Sequence, residues 1–524
     1  MNRNGYQGHP DNAFILNNQG YFYSKYGDFI SAAPYMEEAT NLRKTTLGIS
    51  HSEYTHSLAS LAVIYQCTGD YDNALECALK ALYLGDLTEG KNNRTYASAL
   101  QTIAGIYNDI GEYENAIKSS SQSLNIVKSI YGTRHYAYVD ALLDLAECYS
   151  YTNEYDKSIN SIKEALEIIS TEYDLNSDDG AYCYELLCDQ YRAIGNYKEA
   201  LKYIEKSIVI RLQLFGKTNK KYLNSLLSLI ATKDKMKICD PHSVSEYNSI
   251  QSEILRKAFA NLTSHRRSLM WDEYKDWFID YLPTYVNKYP NDSLNCVLYD
   301  ATLLSKGILL STEQELSAIV ARKGNAELND LYEEYRQTNA LLNTLQNSPL
   351  DEHFLDTDSL SNRIEILEKT LMSKSKDFGD FKISFNVRWQ DIKNTHDPNS
   401  IAIEFIEYAN DKRERVYCAL TLKSSYEYPH LTQICSLNDI NKLSPELYYS
   451  SPELSNLIFT KLEEELKGVK TVYFAPAGVF YSIAIESLPY KSASHRFGDK
   501  FKTFRLSSTR ELIRDNANLN KFQY

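Results

Sequence analysis

Several side-chain pairings in this 524-residue chain have the composition of reactive sites. His430 and Cys435 are the ingredients of a thiol nucleophile and its base, in which imidazole takes the thiol proton and the thiolate attacks a carbonyl. They stand five positions apart, and an odd offset along a strand sends two side chains to opposite faces. A loop histidine beside a buried cysteine is the plainer reading. Cys183 and Cys188 repeat that spacing inside one helical stretch, where packing accounts for both. Glu404 and Glu486 interrupt the apolar runs Ile401-Ala402-Ile403-Glu404-Phe405 and Ile483-Ala484-Ile485-Glu486. Two carboxylates can share acid and base work, but exposure at a sheet edge suits these better. His9, His51 and His135 recur without Cys or carboxylate at ligand spacing, so no metal site is expected. No phosphate-binding loop, His-Glu-x-x-His or Gly-x-Ser-x-Gly occurs, and no cofactor is expected.

Any site must be positioned by a repeat. Gly27-Asp28-Phe29, Gly69-Asp70-Tyr71, Gly111-Glu112-Tyr113, Asn153-Glu154-Tyr155 and Gly195-Asn196-Tyr197 start 42 positions apart. A period of this length signals stacked units, not one globular core. Tyr23, Tyr65, Tyr107, Tyr149 and Tyr191 precede each step by four residues. Small residues fill three more columns: Gly20, Ala62, Ala104, Ala146 and Cys188; Ala32, Ala74, Ala116, Ser158 and Ala200; and Ala39, Ala81, Ser123, Ala165 and Ser207. Small side chains let helices approach closely, while a tyrosine ring fills the wedge between units. The Gly or Asn of the step ends the first helix in a left-handed conformation. Helical hairpins are therefore predicted over roughly 12–219. A sixth begins at Tyr222 and decays, with Lys233 in the Tyr column and Lys237 in the Gly column.

Small-x-x-Tyr, then Gly-Asp-Tyr-x-x-Ala, then a small residue seven on, resembles the tetratricopeptide repeat in its longer, kinesin-light-chain form. That resemblance implies an α-superhelix whose first helices line a concave, peptide-binding face. Carried onto this sequence, the groove positions are Asn17, Tyr21, His56, Gln66, Gln101, Asn108, Asp140, Glu147, Glu185, Asp189 and Arg192. None is needed for stacking on this reading. The face turns acidic toward its C-terminal end, so a protein or peptide partner carrying Lys or Arg there is expected. A net charge of −13 disfavours nucleic acid and anionic membrane as partners. No apolar run reaches the ~18 residues that span a bilayer, and no signal-peptide core follows Met1. Nine cysteines without framework spacing read as reduced thiols, so a cytoplasmic location is expected. The oligomeric state stays open.

From Ser243 to about Lys376 the sequence reads as long, non-repeating helices, including a hairpin over 327–345 and 359–373. Farther on, strands are expected at 382–389, 401–406, 416–422 and 469–476, with a helix over 451–466 opening at Ser451-Pro452. Four stretches resemble the CHAT domain, a caspase-like peptidase domain. They are Leu304-Ser305-Lys306-Gly307-Ile308-Leu309-Leu310, Ile401-Ala402-Ile403-Glu404-Phe405, Val472-Tyr473-Phe474-Ala475-Pro476-Ala477-Gly478 and Phe504-Arg505-Leu506-Ser507-Ser508-Thr509-Arg510-Glu511. The resemblance implies a strand over 483–489 after the Ala475-Pro476-Ala477-Gly478 turn, and cysteine proteolysis by a His and a Cys that follow the last stretch. No Cys follows Cys435 and the last His is His495, so no catalytic residue is assigned and no activity is expected of this chain alone. Apolar strands around Val472 would also leave a pairing edge exposed if nothing followed them.

The expected fold is thus an α-superhelix of tetratricopeptide repeats over 1–235, a helical linker region over 236–380, and an incomplete caspase-like α/β domain over 381–524. Two functions follow. One is an interaction scaffold; the other is the front of a caspase-like cysteine endopeptidase whose dyad lies on a continuation.

Overall fold

The computed structural model describes residues 10–25, 29–259, 264–306, 326–346, 357–374, 386–395, 397–491 and 494–514. The chain divides into two compact units, Met1–Ile238 and Cys239–Tyr524. The first repeat step, Gly27-Asp28, and His9 lie outside the described residues, as do 307–310 and 382–385.

The first unit is a stack of helical hairpins. Its helices are α1 (Pro10–Lys25), α2 (Phe29–Leu47), α3 (Ser52–Thr68), α4 (Tyr71–Glu89), α5 (Arg94–Asp109), α6 (Tyr113–Tyr131), α7 (Tyr136–Tyr151), α8 (Tyr155–Glu172), α9 (Asp178–Ala193), α10 (Tyr197–Phe215) and α11 (Lys220–Lys235). Every odd-numbered helix starts 42 residues after the previous one, and so does every even-numbered one. The start is set chemically. His51, Asn93, His135, Ser177 and Asn219 each cap the following helix by accepting a backbone N–H from its first turn, which satisfies donors the helix cannot. The stop is conformational: Gly69, Gly111 and Gly195 take φ of 81°, 82° and 79°, and Asn153 takes 60° in the same column. Lys237 keeps φ 59° there too, so the sixth unit retains the turn without glycine.

The small-residue columns are the close contacts of the stack. Ala62, Ala104, Ala146 and Cys188 are buried, as are Ala74, Ala116, Ser158 and Ala200, and Ala81, Ser123, Ala165 and Ser207. The serines among them add bonds between helices, Ser123 Oγ to the Ala97 carbonyl at 2.9 Å and Ser158 Oγ to the Ala146 carbonyl at 2.7 Å. The column tyrosines occupy equivalent seams but are only half-buried. Tyr23 stacks on Tyr35 at 5.5 Å and Tyr191 stacks on Tyr203 at 5.5 Å, the same relation four repeats apart.

The second unit is built on a five-stranded sheet in the order β3-β2-β1-β4-β5. The strands are β1 (Ser400–Ala409), β2 (Arg415–Leu422), β3 (His430–Ser436), β4 (Thr471–Ala475) and β5 (Lys502–Arg505). β1 runs antiparallel to β2 and parallel to β4, and β4 runs parallel to β5. β1 is buried along nearly its whole length, as expected of a strand covered on both faces. One face packs Ile401, Ile403 and Phe405 against Ile458, Phe480 and Phe497. The helical segments 264–288 and 292–306 reach the sheet from elsewhere: Asp280 accepts the Ala409 N–H at 2.7 Å, and Tyr299 bonds Thr509 at 3.0 Å. Ala326–Gln346 and Thr357–Lys374 form the expected hairpin around Leu328, Tyr335, Leu367 and Leu371.

Several local expectations change. β4 is interior, flanked by β1 and β5, so Val472 is not at an exposed edge. Trp389 opens a helix, Trp389–Thr395, instead of closing a strand. The α-helix expected over 451–466 is Glu453–Phe459 followed by a 3-10 turn, Thr460–Leu462. Residues 483–489 contain a 3-10 turn, Ile485–Ser487, and no strand. Gly478, after β4, has φ 52°, and a Cβ there would stand 2.0 Å from Glu407 Oε2 and 2.6 Å from the Tyr417 hydroxyl. Gly478→Ala is therefore expected to destabilise the second unit by about 2–3 kcal/mol, from left-handed strain plus the clash. Urea denaturation followed by tryptophan fluorescence checks this; an unchanged midpoint would refute the packing of that turn.

Candidate functional site

The first helices α3 and α5, α5 and α7, and α9 and α11 touch one another, whereas adjacent second helices make at most marginal contact. The side of a curved stack on which elements meet is its inner side, so the first helices line the concave face. Asn17 and Tyr21 on α1 and His56 on α3 reach solvent. The remaining predicted residues divide into two sets.

Five of them hold neighbouring repeats together. Gln66 Nε2 donates to Asp109 Oδ2 at 2.7 Å, and Gln101 Nε2 donates to Asp144 Oδ2 at 2.6 Å. Asn108 Nδ2 reaches the Cys148 sulfur at 3.3 Å. Glu185 accepts from Arg211 Nη1 at 2.6 Å and from Ser225, and Arg192 Nη1 donates to Ser228 Oγ at 3.0 Å. The expectation that no groove residue serves stacking is thereby corrected. The acidic end is corrected as well. Glu185 is neutralised by Arg211, and Asp189 pairs with Arg192 at 2.6 Å, so the unpaired acidity lies one repeat earlier, on α7.

There Asp140, Asp144 and Glu147 follow one another at i, i+4 and i+7, one face of a helix. Among the described residues no Lys or Arg forms an ion pair with any of the three. Burial pushes the carboxyls of Asp140 and Asp144 up to about 6 from 3.8; Asp179 adds to the first, while the Gln101 hydrogen bond partly offsets the second against repulsion from Asp140 and Glu147. Burial also raises Glu147, with Asp109 adding repulsion. Asp140 and Glu147 are nevertheless exposed to solvent. Open above and walled by protein on the sides is the situation of groups inside a groove. Tyr136, Tyr151 and Tyr182 stand among these carboxylates at 38%, 46% and 42% exposure. Asp109, Asp144 and Tyr151 were missed in the sequence because they sit one position off the assumed columns, whereas Tyr182 lies in the column of His56 and Asp140 and was passed over; the i, i+4, i+7 run on α7 was the available signal.

Elsewhere the reactive types are structural. A β-bulge between Tyr417 and Cys418 puts Cys435 opposite Tyr417 and His430 opposite Thr421. Both therefore share a face, against the alternation argument, but lie about 13 Å apart along the strand. His430 is held by Glu465 at 3.1 Å and stacked on Tyr426 at 4.1 Å. Burial pushes the Cys435 thiol up to about 12, and the Cys183 thiol likewise, leaving both inert at neutral pH. Cys188 is buried beside Cys183 on α9. Glu404 is fully buried in the central strand, not at an edge. Glu486 sits in the 3-10 turn with Arg505 at 3.9 Å. No group of three metal-ligating side chains occurs among the described residues, and no helix among them is long and apolar enough to cross a membrane.

Residues 57–91 and 95–170 match the tetratricopeptide repeat. The hairpins there are tetratricopeptide repeats. A search of curated proteins gives no match. Solved structures similar to this chain include a putative kinesin light chain from Podosopora anserina with nearly identical TPR-like repeats, 18% identical over 40% of this chain and 98% of that one, TM-score 0.35. They also include BtubC (BKLC) from P. vanneervenii, 17% identical over 46% of this chain and 92% of that one, TM-score 0.37. The apo form of RapI is 16% identical over 55% and 94%, TM-score 0.38.

The electrostatics of the tetratricopeptide array carry a pH dependence. A carboxyl with a higher pKa folded than unfolded favours the folded state once protonated. The penalty from Asp140 and Asp144 is thus full above pH 6 and relieved as pH falls from 6 to 4. After discounting for solvent screening, relief on the order of 1–2 kcal/mol is expected. Asp140→Asn/Asp144→Asn should raise the melting temperature of the array at pH 7 and flatten its rise between pH 7 and 5. A variant with the parent's full pH dependence would assign that rise to other groups.

Proposed function

We propose that the tetratricopeptide array is an interaction scaffold that holds an extended, cationic segment of a partner protein along α5, α7 and α9. The observation that carries this reading is the set of three carboxylates on α7, partly desolvated, repelling one another and, among the described residues, with no Lys or Arg paired to them. A Lys or Arg side chain laid there relieves that repulsion and makes charged hydrogen bonds of about 1.5–3 kcal/mol each. Tyr136, Tyr151 and Tyr182 offer ring faces to the same cation. His56 and the exposed parts of Asn17 and Tyr21 would contact the uncharged remainder of the segment, with less energy per contact. Nucleic acid and anionic membrane are disfavoured partners on charge, and cysteine usage suits a cytoplasmic setting.

A second reading concerns residues 381–524. All four stretches that resemble the CHAT domain meet around Glu404: Lys306 pairs with it, Ser508 and Thr509 donate to it, and Lys306 also bonds the Ala475 and Pro476 carbonyls. That convergence favours a caspase-like scaffold, with the reacting His and Cys not among the residues of this sequence. Thiol-dependent cleavage of a substrate by this polypeptide alone, lost on Cys435→Ser, would contradict it.

The scaffold reading is tested by fluorescence anisotropy with two labelled decapeptides, alternating Lys-Ala and alternating Glu-Ala. The Lys peptide is expected to bind and the Glu peptide not. Asp140→Lys/Glu147→Lys should weaken the Lys peptide about 10- to 100-fold, and lowering the pH from 7 to 5 should weaken it as well. Equal affinity for both peptides, or indifference to the double reversal, would overturn the proposal.

A further inference from the structure

Glu404 is the most conspicuous polar residue of the second unit, because a carboxylate in the middle of a central strand has no access to water. It is 0% exposed. Its Oε2 lies 2.8 Å from Lys306 Nζ, and its Oε1 accepts from Ser508 Oγ at 2.9 Å, Thr509 N at 2.5 Å and Thr509 Oγ1 at 2.8 Å. Lys306 Nζ spends its other donors on the carbonyls of Ala475 at 3.1 Å and Pro476 at 2.9 Å. Thr509 Oγ1 is bonded in turn to the Tyr299 hydroxyl at 3.0 Å, on the helical segment 292–306 that carries Lys306. Four chain segments distant in sequence are therefore joined through one ammonium and one carboxylate: the helix 292–306, β1, the end of β4, and the turn after β5.

Burial of both charges carries a desolvation penalty that their attraction offsets only in part, and an apolar pair of the same volume is commonly as stable or more so. The burial disfavours the charged form of Lys306, opposed by Glu404 itself. What the pair can supply is discrimination. Glu404 is in register with Ala475 on β4 and Leu420 on β2, and a one-residue slip of β1 would turn the carboxylate to the apolar face of Ile403 and Phe405. A helix seated one turn too high or low would leave Glu404 buried without a counter-ion.

We propose that Lys306 and Glu404 form a conformational latch, which fixes the register of β1 on β4 and locks the helix 292–306, the 476–481 turn and the 506–512 segment into one arrangement, instead of adding net stability. Uncharged substitutes would fold but leave those three pieces free to open independently.

The test uses the full chain and two readouts, the thermal midpoint and amide hydrogen exchange. Lys306→Met alone strands the carboxylate and is expected to lower the midpoint. Lys306→Met/Glu404→Gln, which keeps an acceptor for Ser508 and Thr509, should recover most of that loss. In the double variant, exchange at 476–481 and 506–512 should rise about 10-fold or more, with the β1–β2 hairpin unchanged. Exchange indistinguishable from the parent would overturn the latch, and so would a double variant as destabilised as Lys306→Met, which would make the pair a net stabiliser. If Lys306→Met does not fold, Glu404→Gln decides alone: faster exchange at the same two segments supports the latch, and none overturns it.

Discussion

The first unit depends on side chains handed from one first helix to the next. Gln66 to Asp109, Gln101 to Asp144 and Asn108 to Cys148 join residues 43, 43 and 40 positions apart. A helical hairpin of this size cannot bury its apolar face alone, so each repeat is stable only as a neighbour. The alanine and serine columns let the hairpins approach, but apolar contact alone leaves a slip along the helix axis inexpensive. Directional hydrogen bonds from α3 to α5, α5 to α7 and α9 to α11 fix the axial position there, and with it the curvature that makes a concave face.

The same seam limits what the concave face can be used for. Gln66, Gln101, Asn108, Glu185 and Arg192 are committed to neighbouring repeats, and a ligand would have to displace those bonds to use them. The face that remains is narrower and more acidic than the full column suggests. Its carboxylates work against the stack, since they repel one another across α7 and toward Asp109 and Asp179. Stability lost at a concave surface and regained when a ligand arrives is a common property of binding sites. The second unit treats charge the opposite way, pairing Glu404 and Lys306 out of reach of solvent.

The repeat architecture was legible because a 42-residue period averages over local noise: one odd residue, such as Lys237 or Asn153, does not hide five aligned columns. The caps were half legible, since His51 and His135 look unlike Asn93, Ser177 and Asn219 until their shared acceptor role is seen. The seam bonds were not legible, because each joins adjacent columns on different helices and no single-helix pattern records that. In the second unit, β1, β2 and β4 stood out as apolar runs. β3 did not, because its bulge at Ile434 breaks the alternation, and β5 did not, because four residues opening on an exposed Lys502 carry too little pattern. Glu404 was misjudged for a related reason: its partner, Lys306, arrives from a distant helix, and a lone acidic residue in an apolar run gives no hint of it.

The direct measurement of whether the seam carries the stack is a double-mutant cycle at Gln101 and Asp144, by urea denaturation of the full chain monitored with circular dichroism. The account predicts that Gln101→Ala destabilises, and that its effect is non-additive with that of Asp144→Ala, with a coupling of about 1–2 kcal/mol. Additive effects, with no coupling between the two positions, would contradict it.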